Sequence, residues 1–204
     1  MLDGALRRLI DPPLDSAGRR LAGLGVSANA VTLAGFVLGL AALPLLAAGS
    51  FGAALVAILL NRLADGIDGA IARGRGPTDF GGYLDIVCDF LFYAAVVFGF
   101  VLAAPENRIP GAFLLFSFIG TGSSFLAFAA LAARRGLETT ARGRKSLYYL
   151  GGLTEGSETI AFFIAVCIFP AAFPALAWLF GGACWLTTCG RVLAAVNHFR
   201  MQKR

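Results

Sequence analysis

Charge is scarce in this sequence, and histidine scarcer still. Of 204 residues 14% are charged, and the single histidine is His198; soluble domains carry roughly 25% charged and roughly 45–50% apolar residues. With 58% apolar residues and a mean hydropathy of +0.77, the chain is read as a membrane protein, with no room for a separate soluble domain. The CxxC spacing of zinc and redox sites is missing: Cys88, Cys167, Cys184 and Cys189 each sit in an apolar stretch and are read as small packing residues. A continuous apolar core is missing from Met1 to Gly25, which holds Asp3, Asp11, Asp15 and a Pro12-Pro13 pair. That stretch is not expected to act as a cleaved signal, and the first span should be retained. The net charge of +5 would suggest nucleic acid in a soluble chain. In so apolar a chain it is assigned to basic edges facing membrane lipids, and no nucleic-acid partner is expected.

What is present is a series of apolar runs of spanning length. A bilayer-crossing helix needs about 20 residues, and runs at 29–48, 51–72, 80–104, 111–133, 157–173 and 174–197 predict an all-α membrane protein of six transmembrane helices. The chain is read as one domain, 1–204, with an interfacial segment at 1–28 and a six-helix bundle at 29–197. Lys and Arg near span ends stay preferentially in the cytoplasm. Arg7, Arg8, Arg19, Arg20, Arg73, Arg75, the basic segment from Arg134 to Lys145, Arg200, Lys203 and Arg204 fall on one side of the six-span arrangement, and Arg108 on the other. Both termini are therefore expected in the cytoplasm. Leu2, Leu6, Leu9 and Ile10 opposite the early arginines predict a short interfacial N-terminal helix, interrupted at Pro12-Pro13. Gly35 and Gly39 form a GxxxG pattern, suited to close helix approach within the bundle or in a dimer.

The informative stretch runs from Asn61 to Asp89, where Asp65, Asp68, Asp85 and Asp89 fall within the second and third spans. Each Asp near a membrane-helix centre costs about 2.5–3.5 kcal/mol on insertion scales, so something must offset four of them. Asp65, Asp68, Gly69 and Ala72 share one helix face by their i, i+3, i+4, i+7 spacing, and Gly81, Asp85 and Asp89 share another. The Gly- and Pro-containing turn between them folds the helices antiparallel and brings both faces together at the cytoplasmic side. Such an oxygen-only cluster suits Mg2+ or Mn2+, one or two ions, and a magnesium site with open positions suits a diphosphate. Gly69, Ala72 and Gly81 leave a slot beside it, and Arg73 is placed to neutralise phosphate charge. Arg62 could pair with one carboxylate but cannot serve four. A cation or proton transporter is the competing reading, although transporter sites usually lie near mid-membrane.

The string Asp65-x-x-Asp68-Gly69-x-x-Ala72-Arg73 followed by Gly81-x-x-x-Asp85-x-x-x-Asp89 resembles the signature of the CDP-alcohol phosphatidyltransferases. Seven residues, Gly74 to Phe80, separate Arg73 from Gly81, one fewer than the family's usual pattern. The resemblance implies transfer of a phosphatidyl or related group from a CDP-linked lipid such as CDP-diacylglycerol to the hydroxyl of a polar alcohol, with release of CMP. It implies Asp65, Asp68 and Asp85 as main metal ligands, and Asp89 as catalytic general base that can also touch a metal. It implies that Gly69, Ala72, Arg73 and Gly81 bind the CDP moiety. It further implies a homodimer in the bacterial inner membrane, with the active site facing the cytoplasm. Asn29 and Thr32 resemble a less specific feature near the nucleotide, or cap a helix.

Other residues are left with two readings each. The basic segment from Arg134 to Lys145, followed by Tyr148 and Tyr149, fits either an anionic acceptor or simple positive-inside topology. Glu155 and Glu158 could pair with that segment or reach an acceptor, and Arg191 could snorkel or line the cavity. His198 is assigned a helix-end role. Glycerol phosphate, phosphatidylglycerol, inositol phosphate and serine all stay open as acceptors, with a glycerol-type one favoured; a non-catalytic scaffold retaining the motif is the remaining alternative.

Overall fold

The computed structural model describes residues 3–134 and 152–201, and all regular structure among them is helical. An N-terminal helix, α1 (Asp3–Gly23), precedes α2 (Ala28–Leu40) and α3 (Ala42–Ala47), then α4 (Phe51–Arg75) and α5 (Asp79–Ala103). A 3-10 turn at Pro105–Asn107 leads into α6 (Arg108–Arg134), followed by α7 (Gly156–Ile168) and α8 (Phe173–Met201). The basic segment at 135–151, with Tyr148 and Tyr149, lies outside the described residues, as does the His198 side chain.

Each apolar run corresponds to a helical segment, with two differences. The first run is broken at Ala41 into α2 and α3. Pro44 accounts for the break, because it has no N–H for the carbonyl four residues earlier, at Leu40, and its ring crowds that carbonyl. The expected interruption at Pro12-Pro13 is absent: α1 continues through both prolines. Proline's fixed φ is itself a helical value, and the turns after the pair pack on α4, with Leu14 filling the space beside Gly66 and Gly18 lying against Ala70.

Four segments are long and apolar enough to cross a membrane: Ala28–Ala47, Asp79–Ala103, Pro105–Arg134 and Pro170–Asn197. The 25-residue α4 has the length but carries Arg62, Asp65, Asp68, Arg73 and Arg75. The 13-residue α7 is short; at about 1.5 Å per residue it covers about 20 Å of a hydrocarbon layer about 30 Å thick.

Turns and caps set the helix order. Ser27 caps α2 through Ala30 N–H and Thr78 caps α5 through Gly81 N–H. The turn between α4 and α5 bends at Gly76, whose φ of +95° favours glycine. Buried Asn107 donates to the Phe100 carbonyl at 2.8 Å and closes the α5–α6 hairpin. The core joins α3, α4, α5, α7 and α8 through Leu46, Ile58, Phe92, Phe100, Phe163 and Phe173, with Phe100 and Phe173 stacked at 4.6 Å. Cys88, Cys167 and Cys184 are buried packing residues as expected, whereas Cys189 is exposed on the bundle surface.

The Gly35–Gly39 face is used within the chain. A side-chain carbon on Gly35 would stand 2.5 Å from Ala64 Cβ, and one on Gly39 would stand 2.7 Å from the Phe92 ring. Gly35→Leu is therefore expected to push α2 from α4 and destabilise the fold by about 1–3 kcal/mol, seen as a lower thermal-unfolding midpoint in detergent. Gly52→Leu, where an added carbon meets nothing within 4 Å, is expected to leave that midpoint unchanged or raise it.

Candidate active site

A small cavity lies where α2, α4 and α5 meet. It is lined by Thr32, Gly35 and Phe36 from α2, by Asn61, Arg62, Asp65 and Asp68 from α4, and by Asp85, Cys88 and Asp89 from α5. Helical spacing explains the convergence, since Asp65 and Asp68 are one turn apart on α4, and Asp85 and Asp89 one turn apart on α5. The four carboxylates therefore line one cavity, as the spacing predicts.

They are not equivalent. Ligand oxygens of Asp65, Asp68 and Asp85 lie within 4.8 Å of one another. Asp68 is 6% exposed, and its Oδ2 is buried with no hydrogen-bond partner among the described residues. A buried carboxylate oxygen without a donor is costly, and a hard cation held by the three acidic groups would satisfy it. Donor chemistry and spacing thus fit a divalent ion such as Mg2+ or Mn2+. Asp89 stands apart from the triad, with Oδ1 accepting from Arg62 Nη2 at 2.7 Å.

Arg62 does more than its i, i+3 relation to Asp65 suggests. Its Nη1 is 3.6 Å from Asp65 Oδ2, so one guanidinium faces carboxylates on two helices. Nε and Nη2 also donate to Asn61 Oδ1, and the group lies 4.8 Å from the Phe92 ring centroid. The Arg62–Asp65 spacing is visible in sequence; the partnership with Asp89, 27 residues away, depends on the α4–α5 packing.

The residues expected to hold the nucleotide lie outside the lining of this cavity. An added carbon on Gly69 would meet only Arg73 Nη1, at 3.4 Å, so packing does not demand a glycine there. On Gly81 it would stand 2.9 Å from Thr78 Oγ1 and 3.1 Å from Asn29 Oδ1, so that glycine already serves the α5 cap. Ala72 is half-buried. Arg73 donates to Asp15 Oδ1 at 2.7 Å, an ion pair to α1 that the sequence reading did not include. Arg75 reaches the Ala22 and Val26 carbonyls beside it.

Toward α7 and α8, Glu158 accepts from the Glu155 N–H and the Ser157 hydroxyl, and Glu155 accepts from the Gly152 N–H, which makes the pair a helix cap. Arg191 is 8% exposed and donates to the Thr121 carbonyl at 2.9 Å. It cross-links α8 to α6 and is not among the residues lining the acidic cavity. Thr32, expected near the nucleotide, lines that cavity, and its hydroxyl donates to the Ala28 carbonyl.

The profile of the family described as CDP-alcohol phosphatidyltransferase matches residues 25–193. The inner membrane protein YnjF of Escherichia coli (strain K12) is 58% identical over 193 residues, 94% of each chain. An archaetidylinositol phosphate synthase of Methanothermobacter thermautotrophicus is 31% identical over 202 residues, covering 98% of this chain and 88% of the relative. Among solved structures, Mycobacterium tuberculosis phosphatidylinositol phosphate synthase PgsA1 with CDP-DAG bound superposes with a TM-score of 0.73 at 26% identity, covering 90% of this chain and 93% of that one. The same enzyme in complex with manganese and citrate gives a TM-score of 0.69 at 26% identity, over 88% and 87%.

Two of the attachments of α1 to α4 should differ in weight. The Asp15–Arg73 pair is 37% and 49% exposed, and exposed pairs contribute about 0.2–1 kcal/mol, so Asp15→Asn is expected to shift detergent unfolding only slightly. At Gly18 an added carbon would stand 2.7 Å from Ala70 Cβ and 3.1 Å from backbone. Gly18→Leu is expected to destabilise by about 1–3 kcal/mol and to speed proteolysis within α1.

Proposed function

The chain belongs to the CDP-alcohol phosphatidyltransferase family, and on that premise we propose residue roles, an orientation and an acceptor class for it. It is an enzyme of phospholipid synthesis that moves a phosphatidyl-type group from a CDP-linked donor to an alcohol. The donor is a CDP-linked lipid such as CDP-diacylglycerol, as the CDP-DAG complex of PgsA1 supports. The observation that carries the site reading is the triad of Asp65, Asp68 and Asp85, together with the buried Asp68 oxygen that has no hydrogen-bond partner among the described residues.

These three side chains hold one or two divalent ions, Mg2+ or Mn2+; the manganese complex of PgsA1 supports this choice of metal class. A bound ion would neutralise charge on the phosphoryl oxygens and on the departing CMP. The chain's own part is binding, orientation and proton transfer. The acceptor oxygen forms a bond to the donor phosphorus as the bond to the CMP oxygen breaks, and Asp89 takes the hydroxyl proton. Gly69, where an added carbon would meet only the Arg73 guanidinium, and Ala72 leave room for the nucleotide at the end of α4, and Arg73 exchanges Asp15 for phosphate when the donor is bound. Gly81 keeps the start of α5 close to Asn29, at the edge of that space.

In this reading residues 1–204 form one membrane domain with six crossings, α4 and α7 included, α7 crossing together with the turn at Pro170–Ala172. The termini and the acidic cavity face the cytoplasm, and the protein resides in the bacterial inner membrane, supported by the basic ends of its helices and by the YnjF relative. Two copies assemble as a homodimer. The compared synthases carry archaetidylinositol phosphate and phosphatidylinositol phosphate in their names. Those names shift the favoured acceptor from a glycerol type to a phosphorylated polyol.

Purified protein incubated with CDP-diacylglycerol and a panel of glycerol phosphate, inositol phosphate, phosphatidylglycerol and serine is expected to release CMP and form one new lipid mass. Undiminished turnover in excess chelator would refute the metal assignment. Asp89→Asn is expected to slow turnover by at least about 10²-fold while CDP-diacylglycerol still binds; full turnover in that variant removes the base role. Asp68→Asn is expected to weaken Mn2+ binding by at least about tenfold in a calorimetric titration, and unchanged affinity would remove Asp68 from the ligand set.

A further inference from the structure

Arg62 is held more firmly than charge balance requires. Its Nε and Nη2 donate to Asn61 Oδ1 at 2.8 and 2.6 Å, and Nη2 donates to Asp89 Oδ1 at 2.7 Å. The guanidinium lies over Phe92 at 4.8 Å and near Tyr93 at 5.6 Å from the ring centroids. Asn61 is itself fixed: it is 5% exposed, and its Nδ2 donates to the Gly35 carbonyl at 2.9 Å. A continuous chain of hydrogen bonds therefore runs from the α2 backbone through Asn61 and Arg62 on α4 to Asp89 on α5. A neutralising cation needs only proximity, whereas this arrangement fixes the direction of the guanidinium fork and thereby of the carboxylate it holds.

We propose that Arg62 is a positioning residue for the transfer reaction: braced by Asn61 against the α2 backbone, it fixes Oδ1 of Asp89 and so sets where the other oxygen of that carboxylate meets the acceptor hydroxyl. This rests on the assignment of Asp89 as proton acceptor. In this role Arg62 acts through Asp89, so its removal lowers the rate of the bound complex and leaves donor affinity in place. Its guanidinium also opposes added cations at the neighbouring triad, so neutralising it favours metal binding.

The test compares Arg62→Lys and Arg62→Gln with the unmodified enzyme in steady-state turnover of CDP-diacylglycerol and in Mn2+ titration. Lysine keeps the charge but cannot engage Asn61 and Asp89 with one planar fork. Arg62→Lys is expected to lose about tenfold in kcat and Arg62→Gln about 10²-fold, with KM for CDP-diacylglycerol within about threefold in both. Arg62→Gln is expected to bind Mn2+ at least as tightly as the unmodified chain. Arg62→Lys, which keeps a cation beside Asp65 and Asp89, decides the matter if the glutamine variant fails to fold. Full kcat in Arg62→Lys, a loss expressed in KM, or weakened Mn2+ binding in Arg62→Gln would each overturn the proposal. An inactive Asp89→Asn beside a fully active Arg62→Lys removes this inference alone, whereas a fully active Asp89→Asn removes the base assignment beneath it.

Discussion

Carboxylates gathered between apolar helices repel one another and resist leaving water, so they persist only where positive charge is supplied on the spot. In this bundle the demand is divided. Arg62 spans Asp65 and Asp89 from within the fold, while Asp68 keeps an oxygen buried with no donor among the described residues. One guanidinium offsets part of the cost, and the remainder is the electrostatic reason for the site to take a divalent ion. Stability and the proposed chemistry share one cause here: the acidic residues that weaken the helices as membrane spans form the cluster whose donor chemistry fits a divalent ion.

Close packing is what allows that division. Gly35 and Gly39 let α2 approach α4 until the Gly35 carbonyl can accept from Asn61. A pattern that in sequence suits either a dimer or ordinary packing is occupied here by the chain's own neighbouring helix. A bulkier residue at either position would separate α2 from α4 and would also loosen the anchor that orients Arg62. The glycines of α2, the polar residues of the cavity and the carboxylates are in this sense one unit, although only the last take part in the proposed chemistry.

The fold was legible in sequence wherever the signal is local. Apolar runs of spanning length placed every helical segment from α2 to α8, and the i, i+3 and i, i+4 spacing of acidic residues placed their side chains in one cavity. The misreadings are also local but turn on proline geometry: Pro44 breaks a helix read as continuous, and Pro12-Pro13 are accommodated in one read as broken. A proline's effect depends on whether tertiary contacts hold the flanking turns, and α1 has such contacts on α4. The site was less legible than the fold because two of its ion pairs join residues distant in sequence. Arg62 with Asp89 and Arg73 with Asp15 become visible only when α4 is placed against α5 and α1. The same limit applied to Arg191, whose carbonyl partner on α6 is 70 residues away.

The contrast between Arg62 and Arg73 bears on how such a site can work. Both arginines sit on α4 and both pair with an aspartate at 2.7 Å, yet their surroundings differ. Arg62 is shielded, stacked on aromatic rings and tied to a buried asparagine, so exchanging its partner would mean desolvating the guanidinium again and breaking several hydrogen bonds. Arg73 is about half exposed and paired with one partly exposed carboxylate on α1, so that pair can be exchanged at small cost, as the phosphate-binding role proposed for Arg73 requires. A fixed cation suits a group that must hold one orientation through every turnover. An exchangeable one suits a substrate that must arrive and leave, and α4 carries one of each, about three turns apart.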